Sequence, residues 1–326
     1  MSRRTPFVAT VVALPLALAG CGAGPAIVGM HAAPAESSDG GSISQQSASD
    51  VAARVLEDAA AIRKEGGKAS QEERTAVYSG PALRALDAAA KSKDEQNHTG
   101  GTPEDLQVLG VSRGTDWPRA VLATSLDEGT QFLHVFVAKA ADQPYRLFAD
   151  VPMAAGASVP ALAPVTEGSA VTIGKKPDKD VTAAVEGWAT GVSYKPPKKA
   201  PEGVSFDDAF STALKKNAKA KDKDLGDLGK YRQKQSTVDA DSVSFELAAG
   251  GHLSFVPMTR TDTITASKKL KVLKIQDKAI RRVLDANKVK KKLSIEHAET
   301  LAMVTPATGD ATVVGVSDVL ESAKGE

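Results

Sequence analysis

The chain has 326 residues, 42% of them apolar and 25% charged, with a net charge of +1, the profile of a globular protein. Its single cysteine excludes an internal disulfide and a cysteine-based metal site. Aromatic residues make up only 4%, so Ala and Val must build much of the core.

Residues 1–21 read MSRRTPFVATVVALPLALAGC. Arg3 and Arg4 form a short positive region, and residues 7–20 are apolar or small, interrupted by Pro15. The run is short for a permanent helix across about 30 Å of hydrocarbon. A charged start, a short apolar stretch and small residues at the end describe a secretory signal. Thr5-Pro6-Phe7 fits twin-arginine export poorly. Leu18-Ala19-Gly20-Cys21 resembles the lipobox of bacterial lipoproteins. The resemblance covers the first 21 residues. It implies cleavage after Gly20, diacylglycerol on the Cys21 sulfur, and a protein held at the extracytoplasmic face of the cell membrane. Two or more acyl chains give stable anchoring where one does not.

Residues 22–49, rich in Gly, Ala, Ser, Pro and Gln, show no apolar periodicity and read as a flexible tether. At about 5–6 Å × √n, they span roughly 30 Å on average. Asp50 is the expected cap of a first helix, with Val51, Val55, Leu56, Ala59 and Ile62 on one face and Gly66-Gly67 ending it. Ser70-Gln71-Glu72-Glu73 predicts a capping box and a second helical stretch. That stretch breaks near Gly80-Pro81 and resumes to about Lys91.

Four β-rich runs follow, at 106–112, 119–125, 131–139 and 145–153. Asp116-Trp117-Pro118, Asp127-Glu128-Gly129 and Asp142-Gln143-Pro144 supply turns at hairpin spacing, predicting an antiparallel meander. The second half repeats this order. A helix is expected at about 178–190, then a Pro/Lys linker at 195–201, then a helix capped by Ser205 and a charged segment to about Lys234. Strands are expected at 242–248, 252–266, 269–275, 291–306 and 311–320, with a short helix near 277–285.

The predicted fold is α+β: two tandem halves, 50–176 and 177–326, each with helices packed on a curled antiparallel sheet. The element order is similar to cystatin-like and nuclear-transport-factor-2-like folds. The layout as a whole is similar to actinobacterial surface lipoproteins of unknown function. Neither similarity fixes an activity.

No second apolar stretch is long enough to span a membrane. The nucleophile elbow, the Walker loop and the helical zinc motif are absent. Asp222-Lys223-Asp224-Leu225-Gly226-Asp227 lacks the terminal Glu of a calcium loop. Five histidines are present: His31 in the tether, His98 in a polar loop, and His134, His252 and His297 on expected strands. Alternation places His297 and Glu299 on one face, beside Glu296, an arrangement able to hold a cation. Alternation also sets Phe132, His134 and Phe136 on one face, with Asp150 on the next strand as a partner for His134. A cavity enzyme around His134 and Asp150 is therefore one reading, and a carrier of an apolar ligand is another.

The main reading is a non-catalytic binding or interaction module without a cofactor beyond the Cys21 lipid. Residues 51–194 hold 15 Lys and Arg against 19 Asp and Glu, whereas residues 195–300 hold 23 against 14. The densest basic stretch, Arg281-Arg282 with Lys288 to Lys292, is suited to anionic lipid, wall polymer or an acidic protein. Few aromatics are interleaved, which argues against nucleic acid.

Overall fold

The computed structural model describes residues 40–93 and 104–326. The expected signal segment 1–20, Cys21, the part of the expected tether up to residue 39 with His31, and the 97–101 stretch with His98 lie outside the described residues.

Helix α1 (Gln45–Glu65) starts earlier than its apolar periodicity suggests. Ser44, not Asp50, is its cap and accepts a hydrogen bond from the Ser47 amide at 3.2 Å. The stretch 45–49 carries no large apolar residue, yet Ala48 is fully buried. Small alanines at 48, 52 and 59 let the helix approach the sheet beneath it. The Ser70–Glu73 capping box forms as expected and opens α2 (Gln71–Val77). After a break, α3 (Gly80–Ser92) follows with Pro81 in its first turn, where a missing N–H costs nothing.

Strands β1 (Glu104–Val111), β2 (Arg119–Asp127), β3 (Thr130–Ala138) and β4 (Arg146–Pro152) form the predicted meander in sequence order, every pair antiparallel. The short β5 (Val171–Gly174) precedes the expected boundary at 176 but belongs to the second sheet, where it pairs with β7.

Helix α4 (Lys179–Val192) starts after Asp178. Helix α5 (Ala209–Leu225) is capped by Asp208, whose Oδ1 accepts from the Ser211 amide at 2.7 Å. Ser205 instead accepts from the Asp207 amide and shapes the turn before the helix. Trp188 Nε1 donates to Ser211 Oγ at 2.8 Å and joins the two helices.

The expected charged segment to Lys234 divides between the end of α5 and a strand, β6 (Gly229–Thr237). The second sheet is completed by β7 (Ser242–Glu246), β8 (Gly251–Ala266), β11 (Lys292–Pro306) and β12 (Thr312–Gly325). Its backbone order is β12-β11-β8-β7-β5. Strand β8 pairs along its whole length with β11. Its other edge is shared end to end by β7, on 252–255, and β6, on 258–266. Pro257 has no N–H to offer a ladder, and it sits at this changeover. Most of the strand expected at 269–275 is irregular. Only β9 (Leu273–Lys274) is extended, paired with β10 (Lys288–Val289) across α6 (Lys278–Leu284).

Alternation along the strands sorts side chains into layers. One face of the four-stranded sheet, with Val121, Ala123 and Phe136, packs under α1. Its other face, with Leu122, Leu133, Val135 and Val151, meets Val243, Phe245, Leu253 and Phe255 of the second sheet in a shared core. The far face of the second sheet carries Met258, Leu301 and Met303 against α4 and Leu214 of α5. The order is therefore helices, sheet, sheet, helices. The described residues form one compact unit. At one edge the sheets nearly touch: a Cβ on Gly315 would lie 2.5 Å from the Pro152 carbonyl oxygen, so only glycine fits there. No described helix is long and apolar enough to cross a membrane.

Candidate functional site

The hairpin register places His134 directly opposite Asp150 on β4. His134 Nδ1 lies 3.0 Å from Asp150 Oδ1, off the line of a straight hydrogen bond. On the other side of the ring, Ser125 Oγ is 2.7 Å from His134 Nε2. Arg63, from the last turn of α1, donates from Nη1 to Asp150 Oδ2 at 2.9 Å. Phe132 stacks on the imidazole with ring centroids 6.1 Å apart.

Hydroxyl, imidazole and carboxylate thus stand in the order of a nucleophile, its base and the base's orienter. Ser125 was not apparent as part of the site. The Asp127–Thr130 turn register, which sets Ala123 beside His134 and Ser125 one step diagonal, is the signal that finds it. Access decides what the trio can do. Ser125 is 2% and His134 4% exposed, at the interface between the sheet and α1. The Asp150 charge is shared with Arg63. In this conformation no substrate carbonyl reaches Ser125, and the network clasps three strands to the end of α1.

A second polar cluster lies on the helix-covered face of the other sheet. Arg260 reaches Asp318 and Glu299 through Nη1, the latter at 3.4 Å, with its Nε 3.6 Å from Asp262. His297 Nδ1 contacts Asp318 Oδ1 at 2.9 Å, and Lys221 of α5 approaches Asp262 at 3.4 Å. The expected pairing of His297 and Glu299 on one face is present, but Glu296 turns away to accept from Ser322 Oγ. The cations at these carboxylates are Arg260, at the centre, and Lys221, at Asp262. Among the described residues no group of three His, Cys, Asp or Glu side chains is placed to hold a metal.

One guanidinium cannot satisfy three carboxylates equally, two of them buried and Asp318 half-buried. Burial, aided by the Asp318 charge and opposed by Arg260, pushes the Glu299 carboxyl up to about 8. Asp318 is also penalised by burial, yet its contacts with His297 and Arg260 hold it below the usual carboxylate range. Burial and the neighbouring Asp262 raise the Tyr231 phenol.

Within the basic stretch, Arg282 is engaged by the fold. Arg282 Nη1 donates to the Ser92 and Lys93 carbonyls at 2.6 and 3.3 Å, closing the C-terminus of α3. Lys288, Lys290 and Lys291 are exposed. An open cleft of about 520 Å³ lies at the start of α4. Lys175, Lys176 and Lys179 line it, with Val185, Val256 and Pro257 among its apolar residues. Lys175 also pairs with Asp239 at 3.1 Å.

None of the protein-family models, curated proteins or solved structures compared with the chain matches it.

Proposed function

We propose that this chain is a lipid-anchored extracytoplasmic protein whose folded body is a non-catalytic binding or interaction module. The observation that carries the reading is Leu18-Ala19-Gly20-Cys21, placed after a charged start and an apolar stretch. Cys21 is the sole cysteine, so its sulfur has no disulfide partner within the chain. Diacylglycerol on that sulfur is the one covalent group the reading includes.

Two further observations support a module without catalysis. The Ser125–His134–Asp150 trio is sealed by α1, and its carboxylate is already engaged by Arg63. The carboxylates of the Arg260 cluster are already engaged by Arg260 and Lys221. The helix-then-sheet order, met twice, supports the cystatin-like or nuclear-transport-factor-2-like reading of each half.

Metabolic labelling with an alkyne fatty acid tests the anchor. The wild-type chain takes up label and sediments with membranes, and Cys21→Ser takes up none. Label retained by Cys21→Ser, or an unlabelled wild-type chain in the aqueous fraction, overturns the reading.

A further inference from the structure

The lobe made by α6 and the β9–β10 ribbon concentrates the positive charge of the chain. Residues 268–292 hold eleven Lys and Arg against Asp277 and Asp285, a net of +9 in a chain whose total is +1. The apolar side chains of the lobe, Leu273, Ile275 and Val289 with those of α6, pack together with Leu293, Ile295 and Leu320 of the second sheet. Its apolar side chains are therefore used against the body of the protein, while Lys271, Lys274, Lys288, Lys290 and Lys291 are exposed.

Two features show that this charge is not neutralised locally. Among the described residues, only Lys269 and Lys292 of the eleven have a carboxylate at ion-pair distance, Asp227 at 2.9 Å and Glu326 at 3.9 Å. In the ribbon, Lys274 and Lys288 stand directly opposite each other, both exposed. Like charges at directly opposed cross-strand positions destabilise a β-ribbon. One acidic side chain at either place would turn that repulsion into attraction. A local rule broken without local compensation marks a surface shaped for something outside the fold.

The chemistry of the lobe narrows the partner. Residues 268–292 contain no Phe, Tyr or Trp. No aromatic platform is present for nucleic-acid bases, and no aromatic wedge for the acyl region of a bilayer. The lobe reads the density of negative charge at headgroup level. The Cys21 lipid would hold it within a tether's length of a charged leaflet, which raises its effective concentration there.

We propose that the lobe is a docking face for the anionic phospholipid headgroups of a bilayer. It lays the body onto the leaflet that carries the Cys21 lipid. The proposal rests on the lipid-anchored reading for its geometry.

Vesicle co-sedimentation of the Cys21→Ser chain tests it apart from lipidation. Binding to phosphatidylcholine vesicles reports the apolar 7–20 stretch and serves as the baseline. Vesicles containing phosphatidylglycerol bind above that baseline, and the excess fades as salt shortens the screening length. Replacing Lys271, Lys274, Lys288, Lys290 and Lys291 by Gln weakens the excess about 3,000-fold, taking roughly fivefold per lysine near a charged surface. The corresponding five Lys→Arg changes keep the charge and retain binding.

Equal binding to neutral and anionic vesicles overturns the proposal, as does an excess that survives the Gln substitutions. Capture by soluble poly(glycerol phosphate) without an anionic-vesicle excess also overturns it, in favour of a wall polymer. If the Gln variant does not fold, as read by circular dichroism, the lipid and salt dependence of the parent chain decides alone. Labelled Cys21 without anionic preference removes the docking face only, and anionic preference without labelled Cys21 removes the anchor only.

Discussion

Replacing Glu299 by Gln should change how stability depends on pH. Glu299 is 2% exposed, and Arg260 serves it poorly. The guanidinium Nη1 holds Asp318 closely and stands 3.4 Å from Glu299 Oε1, while Glu299 Oε2 has no hydrogen-bond partner among the described residues. The folded carboxyl, pushed up to about 8 from 4.5, binds its proton more tightly than the unfolded chain does. The stability it confers is present at low pH. It is lost as pH rises above the unfolded value, until the folded group also ionises. At about 1.4 kcal/mol per pH unit, this carboxyl withdraws up to roughly 3 kcal/mol between about pH 5 and pH 7. A Gln side chain keeps the shape and does not titrate. Urea unfolding of the Cys21→Ser chain, with and without Glu299→Gln, reads the effect. The variant should gain on its parent steadily from pH 5 to pH 7. Parallel pH profiles would show that Glu299 ionises normally in the fold and would refute the reasoning.

Four other outcomes are expected. Ser125→Ala removes a buried hydroxyl from His134 and lowers stability by about 1–2 kcal/mol. The native wild-type chain is not labelled by a fluorophosphonate probe, and labelling at Ser125 would show that the trio opens to substrate. Arg260→Leu leaves Asp262 with Lys221 alone and Asp318 with His297 alone, and lowers stability at neutral pH by about 3–5 kcal/mol, measured by denaturant midpoint. Lys274→Glu replaces a like-charge pair with an attractive one and raises stability by roughly 0.2–1 kcal/mol. The same change weakens binding to anionic vesicles, so stability and docking move in opposite directions.

The elements that buried apolar side chains at regular intervals were readable in the sequence. The β1–β4 meander, the Ser70 capping box and the long β8 and β11 strands all follow from period-2 alternation or cap chemistry. Strand β6 was hidden because its inward residues include Gln233 and Gln235, which face the Arg260 cluster instead of an apolar core. The start of α1 was hidden because Ala48 buries without an apolar signal, and β5 because four residues carry too little pattern. His134 and Asp150 could be paired from strand order alone. Ser125 and Arg63 required the register of β2 and the position of α1. The Arg260 cluster draws on three strands and α5, and sequence spacing says nothing about such convergence.

The account stands on Cys21, and the mass of the mature N-terminal peptide tests it most directly. Proteolysis of the membrane-extracted protein followed by mass spectrometry should give a peptide that begins at Cys21 and carries a diacylglyceryl group. A peptide running unmodified from Gly20 into Cys21, recovered from cells that process other lipoproteins normally, would contradict the anchor.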